Sequence, residues 1–495
     1  MDYQAESRYN GFGKKAAKVG VFVNKKLVAL LAALFILSNL ATYHLAGTDR
    51  NIVAPPAMPS ARQKAQSEEL APLLEVLEIL SERYLEEVSR EELLDAAIQG
   101  MIDKLGDPQT SYLDSEHWEE MKIKTTGSFS GIGVEITSSE DYITVIAPIK
   151  GTPGERAGIL AGDRILEVDG KDLTGFSTMN AVKLIRGPEG TKVTLKIKRD
   201  GVAEPFTLEI TRGNIQMPSV FPKMLESNIG YLQITTFAEQ TGEDFATALL
   251  KLENQGLKGL LLDLRDNPGG LLDEAIEVAQ GLLPAGDITH VVDRDDKIIN
   301  TYKSYGVAKP YPIVVLVNGG TASAAEIIAG AFQDSGAGIL VGTKTYGKAT
   351  VQHLEDLQGN SGLRYTVAEY RTPAGRDINE VGLEPNVAVE LPDSFFAGHH
   401  PITADMQPGD ESPQVLFLQK ILNKLGFNTE ENSVFDSATE RAVRAFQSAR
   451  KLPVDGLVNY KTRKKLQDEL DRLLEREDTQ KQKALELLLE KMPKN

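Results

Sequence analysis

The chain has no cysteine among its 495 residues. That excludes disulfides, thiolate zinc sites, a cysteine nucleophile and lipid attachment through cysteine. Histidine is scarce too, with six in all. His44 falls in an apolar run, and His399 and His400 stand together in a linker. His117, His290 and His353 sit in neither a G-x-S-x-G nor an H-E-x-x-H context, so a histidine base or a zinc-protease helix is not indicated. Basic residues are outnumbered, 54 Lys and Arg against 71 Asp and Glu, for a formal charge of −17. No basic stripe offsets that charge, so nucleic acid is not an expected partner. What is plentiful is apolar residue, at 41%, enough for several cores and too much for a disordered chain. A chain this long divides into about three or four units.

One basic cluster exists. Lys14, Lys15, Lys18, Lys25 and Lys26 precede residues 27–46, an apolar run of about the 20 residues needed to cross a bilayer. Lysines on that side predict a cytoplasmic stub and export of everything after Gly47. No clear small-x-small site follows the run, which favours an uncleaved anchor over a signal peptide. The expected location is the cell membrane, with a single span and the bulk of the chain outside the cytoplasm; cleavage would make it secreted instead.

Residues 51–60 form a Pro-rich linker. Leu73, Val76, Leu77, Leu80 and Tyr84 recur at helical spacing within 66–104, and Gly-Asp-Pro at 106–108 ends that region. From Ser128 the pattern changes to strands and tight turns and closes near Arg212 as a β-rich module. Beyond it, strands at Ile229–Ile234, 259–264, Ile313–Val317 and Ile339–Gly342 alternate with helices at 270–283 and 322–332, which predicts an α/β domain. Residues 393–412 read as a linker, 413–470 as a small helical unit, and 471–495 as a highly charged amphipathic helix, with Leu485, Leu487, Leu488 and Leu489, that is solvated or forms oligomers.

Three stretches could carry chemistry. In VLVNGGTASAAEIIAGAF, 315–332, an apolar strand turns through two glycines into a helix, placing Ser323 where first-turn N–H groups can stabilise an oxyanion. Thr321 or Ser323 could instead simply cap the helix. In GTKTYGKATVQHL, 342–354, Lys348 nearly completes a phosphate loop, but Ala349 stands where the Mg²⁺-binding hydroxyl must be and no helix follows. A lysine in such a turn can serve as a base if burial lowers its pKa. In DLRDNPGG, 263–270, the glycines can bring backbone N–H groups close to a ligand, or the turn can be a plain connection.

Together these stretches resemble the carboxy-terminal processing peptidases, the tail-specific serine proteases of the S41 class, through L-R-x-N-P-G-G, V-N-x-x-[ST]-A-S-A-x-E and G-x-x-[ST]-x-G-K-x-x-x-Q in that order. DPQTSYL at 107–113 and RTPAGRDINEVGLEPNVAV at 371–389 extend the likeness over about residues 65–395. The resemblance implies Ser323 as nucleophile, Lys348 as general base and Gln352 as its orienting partner, with backbone N–H groups of Ala324 and Gly269 or Gly270 as oxyanion donors. Ala325 departs from the serine often found there. The module at 128–212 resembles a PDZ domain whose carboxylate-binding loop would be Gly131, Ile132, Gly133 and Val134. The unit at 413–470 resembles the three-helix peptidoglycan-binding domain.

The expectation is thus a multidomain α/β protein with a mixed-sheet S41 core. It comprises a stub and anchor (1–48), a linker (49–65), N-terminal helices (66–118), a β-rich PDZ domain (119–212) and the catalytic domain (213–395). A second linker (396–412), an all-α peptidoglycan-binding domain (413–470) and a charged helix (471–495) follow. The implied activity is serine endopeptidase cleavage of proteins with exposed apolar C-terminal tails, with peptidoglycan and the membrane as further partners and no metal or other cofactor. A homodimer through 66–104 or the C-terminal helix is compatible with this. The rival from another class is a non-catalytic PDZ and peptidoglycan-binding scaffold.

Overall fold

The computed structural model describes residues 61–139, 142–392 and 404–493, together with Phe395 and Ile402. The expected membrane span at 27–46 lies outside the described residues, and among those described no helix is long and apolar enough to cross a membrane. The chain divides into two units, residues 1–94 and 95–495. In the first, helix α1 (Ala61–Arg83) leaves Leu70, Leu73, Leu74, Val76 and Leu80 exposed. Helix α2 (Arg90–Asp103) spans the division.

In the second unit, strand β1 (Ser111–Leu113) leads to α3 (Ser115–Thr126), capped by Asp114, whose carboxylate accepts the N–H groups of Glu116 and His117. The β-rich module then runs through β2 (Ser128–Gly131), β3 (Val134–Ser139), β4 (Tyr142–Pro148), α4 (Pro153–Arg156), β5 (Arg164–Val168) and β6 (Lys171–Asp172). It finishes with α5 (Thr178–Ile185), β7 (Lys192–Lys198), β8 (Phe206–Thr211) and β9 (Gly213–Gln216). Its sheet has the order β3-β4-β5-β7-β8, with β6 beside β5, and β2 pairs with β9 to close the module at its base. The alternation in KVTLKIK buries Val193, Leu195 and Ile197 on one face, as a half-buried strand requires.

The α/β core comprises β10 (Val220–Met224), β11 (Ile229–Ile234), α6 (Thr241–Asn254), β12 (Gly259–Asp263), α7 (Leu272–Leu282), β13 (Gly286–Val292) and β14 (Ile298–Ser304). It continues with β15 (Ile313–Val317), α8 (Ala324–Ser335), β16 (Ile339–Gly342), β17 (Thr350–Asp356), β18 (Gly362–Arg371) and β19 (Val387–Ala388). A mixed sheet of order β10-β11-β12-β15-β16-β19 is parallel except at β10. Its central strands GLLLD and IVVLV are buried throughout, as expected when both faces are covered. A second, antiparallel sheet has the order β1-β18-β13-β14, with β17 on β18. Trp118 of α3 packs over Gly362, where a Cβ would lie 2.2 Å from its ring, and its indole N–H donates to Asp356 at 2.9 Å.

Helices α9 (Pro413–Lys424), α10 (Ser437–Ala449) and α11 (Tyr460–Glu477) enclose a separate small core around Leu418, Leu422, Phe446 and Leu466. The third of them runs past 470, and its Leu474 belongs to that core. Helix α12 (Thr479–Lys491) behaves differently from the solvated or oligomer-forming helix that its charge suggests. Ala484 and Leu488 are fully buried against Leu261, Val314, Leu316 and Val341 on the outer face of the mixed sheet. Glu486 and Glu490 face solvent, whereas the Lys481 amine lies 4.7 Å over the ring of Tyr231 in β11.

Candidate active site

Ser323 sits between β15 and α8 with φ 54° and ψ −120°, a left-handed conformation that a non-glycine residue adopts only under constraint. It occupies the N-cap position, but its hydroxyl makes no capping bond. The cap is built another way. The Ser323 carbonyl accepts the N–H of Glu326 at 2.8 Å, and the Glu326 carboxylate accepts the N–H of Ser323 at 2.9 Å. Thr321 is turned inward, donating its hydroxyl to the Leu264 carbonyl at 2.8 Å. The hydroxyl of Ser323 is therefore free for chemistry.

The turn at 267–270 lies against it. A Cβ on Gly269 (φ +98°) would stand 2.8 Å from that of Ser323, and one on Gly270 (φ +143°) would stand 2.2 Å from the Phe237 carbonyl. Asn267, fully buried, holds this turn by donating to Ile234 O and accepting the N–H of Gly269 at 2.8 Å. The Gly269 donor is thus already engaged. Among the described residues, the N–H groups of Gly270 and Ala324 have no protein acceptor, which leaves these two as the donors available to an oxyanion.

Lys348 and Gln352 come from the other sheet. The Lys348 amine donates to Gln352 Oε1 at 2.5 Å. Burial, and then the charge of Arg364, push the Lys348 amine below its ordinary pKa, while Asp107 and Glu326 oppose the shift. Ser323, Lys348, Gln352, Gly269, Gly270 and Ala324 all line one cleft of about 320 Å³.

The glutamate of the A-x-E pattern is fully buried and does more than its sequence position reveals. Its carboxylate accepts Thr345 Oγ1 at 2.6 Å and the N–H groups of Gly347 and Lys348 at 2.8 and 2.9 Å, besides that of Ser323. One side chain thereby ties the backbones of Ser323 and Lys348 together. Burial raises the Glu326 pKa, against the pull of these donors. The hydroxyl of Tyr370 reaches the carbonyls of Ser323 (3.0 Å) and Lys348 (2.8 Å). Nothing in the local sequence distinguishes Tyr370 from any buried strand tyrosine.

In the β-rich module, Gly131, Ile132 and Val134 line a narrow groove of about 60 Å³ with Phe129, Val182 and Ile185. Gly133 is not among the lining residues; its φ of +71° turns the chain, and its carbonyl accepts the N–H of Ile149 and the hydroxyl of Thr152. Arg186, which the sequence did not single out, stacks 4.4 Å over the Phe129 ring at the groove.

Peptidase family S41 matches residues 228–389, a PDZ domain 144–199, a peptidoglycan-binding domain 411–466, and the activating protease CtpB N-terminal domain 38–117. The chain is 38% identical to carboxy-terminal processing protease CtpA of Bacillus subtilis over 83% of its own length and 88% of that protein's. The chain belongs to the S41 carboxy-terminal processing proteases. It is also 32% identical to CtpB of the same organism, over 94% of this chain and 99% of that one. A solved photosystem II D1 C-terminal processing protease is 33% identical, covering 66% of this chain and 90% of its own, with a TM-score of 0.39. This processing protease is therefore a serine-type peptidase with a PDZ domain and a peptidoglycan-binding domain, which point to peptide tails and peptidoglycan as its partners.

Proposed function

We propose that the protein is a membrane-tethered endopeptidase that captures the C-terminal tails of extracytoplasmic proteins and cleaves them through a Ser323 acyl-enzyme. The observation that carries this reading is the convergence, in one cleft, of an unengaged serine hydroxyl, a desolvated lysine amine and two unengaged backbone N–H groups. Neutral Lys348 removes the proton from Ser323 Oγ as that oxygen attacks the scissile carbonyl carbon. Gln352 accepts one amine hydrogen, which leaves the nitrogen lone pair for the serine. The tetrahedral oxyanion is held by the N–H groups of Gly270 and Ala324. The lysine ammonium then protonates the leaving amine, and water, activated by the same lysine, hydrolyses the ester.

The apolar groove beside Gly131 supports capture of a small apolar C-terminal residue, with the peptide adding as a strand. The lysine-flanked apolar run at 27–46 supports a single membrane anchor with the catalytic part outside. The exposed leucines of α1 support pairing with a second copy.

The test compares the detergent-solubilised full chain with its Ser323→Ala and Lys348→Ala variants on an unfolded reporter protein. Cleavage by the parent, and none by either folded variant, is expected. A folded parent that stays silent with apolar C-terminal peptides added would favour the scaffold, and cleavage by Ser323→Ala would overturn the nucleophile.

A further inference from the structure

The Asp-Pro-Gln-Thr-Ser-Tyr stretch at 107–112 has no part in the chemistry above, yet it lies directly behind the base. Strand β1 pairs antiparallel with β18, Ser111 opposite Arg364, and so brings Asp107 to Thr366, whose hydroxyl donates to Asp107 Oδ2 at 2.7 Å. The same carboxylate accepts Thr110 Oγ1 at 2.6 Å and the N–H of Gln109 at 2.8 Å. Burial works against ionisation of Asp107. The three hydrogen bonds and the charge of Arg364 outweigh it and hold the carboxyl below its ordinary pKa, as an anion.

An anion can only accept, so the Thr366 hydroxyl is committed as a donor and its oxygen faces Gln352 as an acceptor. The Gln352 amide answers with its N–H groups, to Thr350 Oγ1 at 2.8 Å and Thr366 Oγ1 at 3.4 Å. Its carbonyl oxygen is left pointing at Lys348. The opposite amide orientation would present N–H groups to the lysine amine and set donor against donor.

We propose that Asp107, acting through Thr366, fixes which end of the Gln352 amide faces Lys348, and is a positioning residue for the base. The role parallels that of a carboxylate that holds a catalytic histidine in one tautomer. It rests on the reading of Lys348 as base. The charged groups acting on the amine are Arg364 from β18, Glu326 from α8 and Asp107 itself, with Lys124 of α3 on the cleft wall.

The experiment measures kcat, KM and the pH–rate profile of the full chain on a tail peptide, for Thr366→Val, Thr366→Ser, Asp107→Asn and Ser323→Ala. Loss of an oriented base is worth a good part of general-base catalysis, so Thr366→Val is expected to lower kcat roughly 10-fold or more with KM within about twofold. Thr366→Ser, which keeps the hydroxyl, restores most of it. Asp107→Asn lowers kcat and moves the acid limb to lower pH, because an anion that favours the ammonium is gone. If Asp107→Asn fails to fold, the Thr366 pair decides alone. Equal loss in Thr366→Val and Thr366→Ser, or no loss in any of the three with Ser323→Ala inert, overturns this inference and leaves the nucleophile standing. Activity in Ser323→Ala overturns the underlying reading instead.

Discussion

At the scale of single residues the site combines strain with desolvation. A non-glycine residue held at φ 54° carries about 1–3 kcal/mol of conformational cost. Glycine tolerates that region, and the extra freedom it gives the unfolded chain offsets part of the relief. Ser323→Gly is expected to be as inert as Ser323→Ala but more stable by about 1 kcal/mol in urea denaturation; equal midpoints would mean that the turn is not strained. Lys348 makes a second prediction. Its pKa is depressed, so the neutral amine forms at a lower pH than for a free lysine. The parent's kcat/KM should rise with pH along an acid limb set by that amine and level off below the ordinary lysine value of about 10.4. Lys348→Arg keeps a positive charge at every accessible pH and is expected to be inactive throughout. An acid limb missing from the parent's profile would rule out lysine as the base.

At the scale of elements, the proposed nucleophile and base ride on separate sheets. Ser323 follows β15 of the mixed sheet, whereas Gln352 lies on β17 and Lys348 just before it, on the antiparallel one. Their relative position depends on the buried Glu326 carboxylate, whose four partners are all donors. A glutamine there has one accepting oxygen and turns an NH₂ group toward donors. Glu326→Gln is therefore expected to cost about 1–3 kcal/mol of stability and to lower kcat more than KM. Thermal melts and steady-state kinetics on the same preparation check it, and an unchanged kcat would show that the clamp is dispensable.

At the scale of the molecule, the peptidoglycan-binding unit lies in sequence between β19 and α12, both of which belong to the catalytic fold. The junction is an ionic one. Arg265, just upstream of the 267–270 turn, pairs with Asp263 at 2.7 Å and with Asp478, at the start of α12, at 2.9 Å. Burial opposes the charge on Arg265, but these carboxylates outweigh it and raise its pKa. Arg265 keeps Asp263 when Asp478 is removed, so Asp478→Ala is expected to lose about 1–3 kcal/mol of stability in urea denaturation. Truncation before 478 uncovers Leu261, Val314, Leu316 and Val341 and should give an insoluble product. A soluble, active truncation would show that α12 is an appendage after all.

The periodicity of strands and helices, the strand-to-helix turn at Ser323 and the three motifs were all legible in the sequence, because they are local. Apolar alternation and glycine placement encode local conformation whatever the rest of the chain does. What tertiary structure alone decided is non-local. Whether Gly269 or Gly270 keeps a free N–H depends on Asn267 capturing the former. The placement of DPQTSY beside Thr366 depends on a strand pairing across some 250 residues, Ser111 with Arg364. The place of α12 depends on an apolar face of the mixed sheet that needs a cover. The sequence shows that helix as charged and amphipathic, solvated or oligomer-forming, but a local pattern does not say which surface its apolar stripe meets; Ala484 and Leu488 meet the sheet.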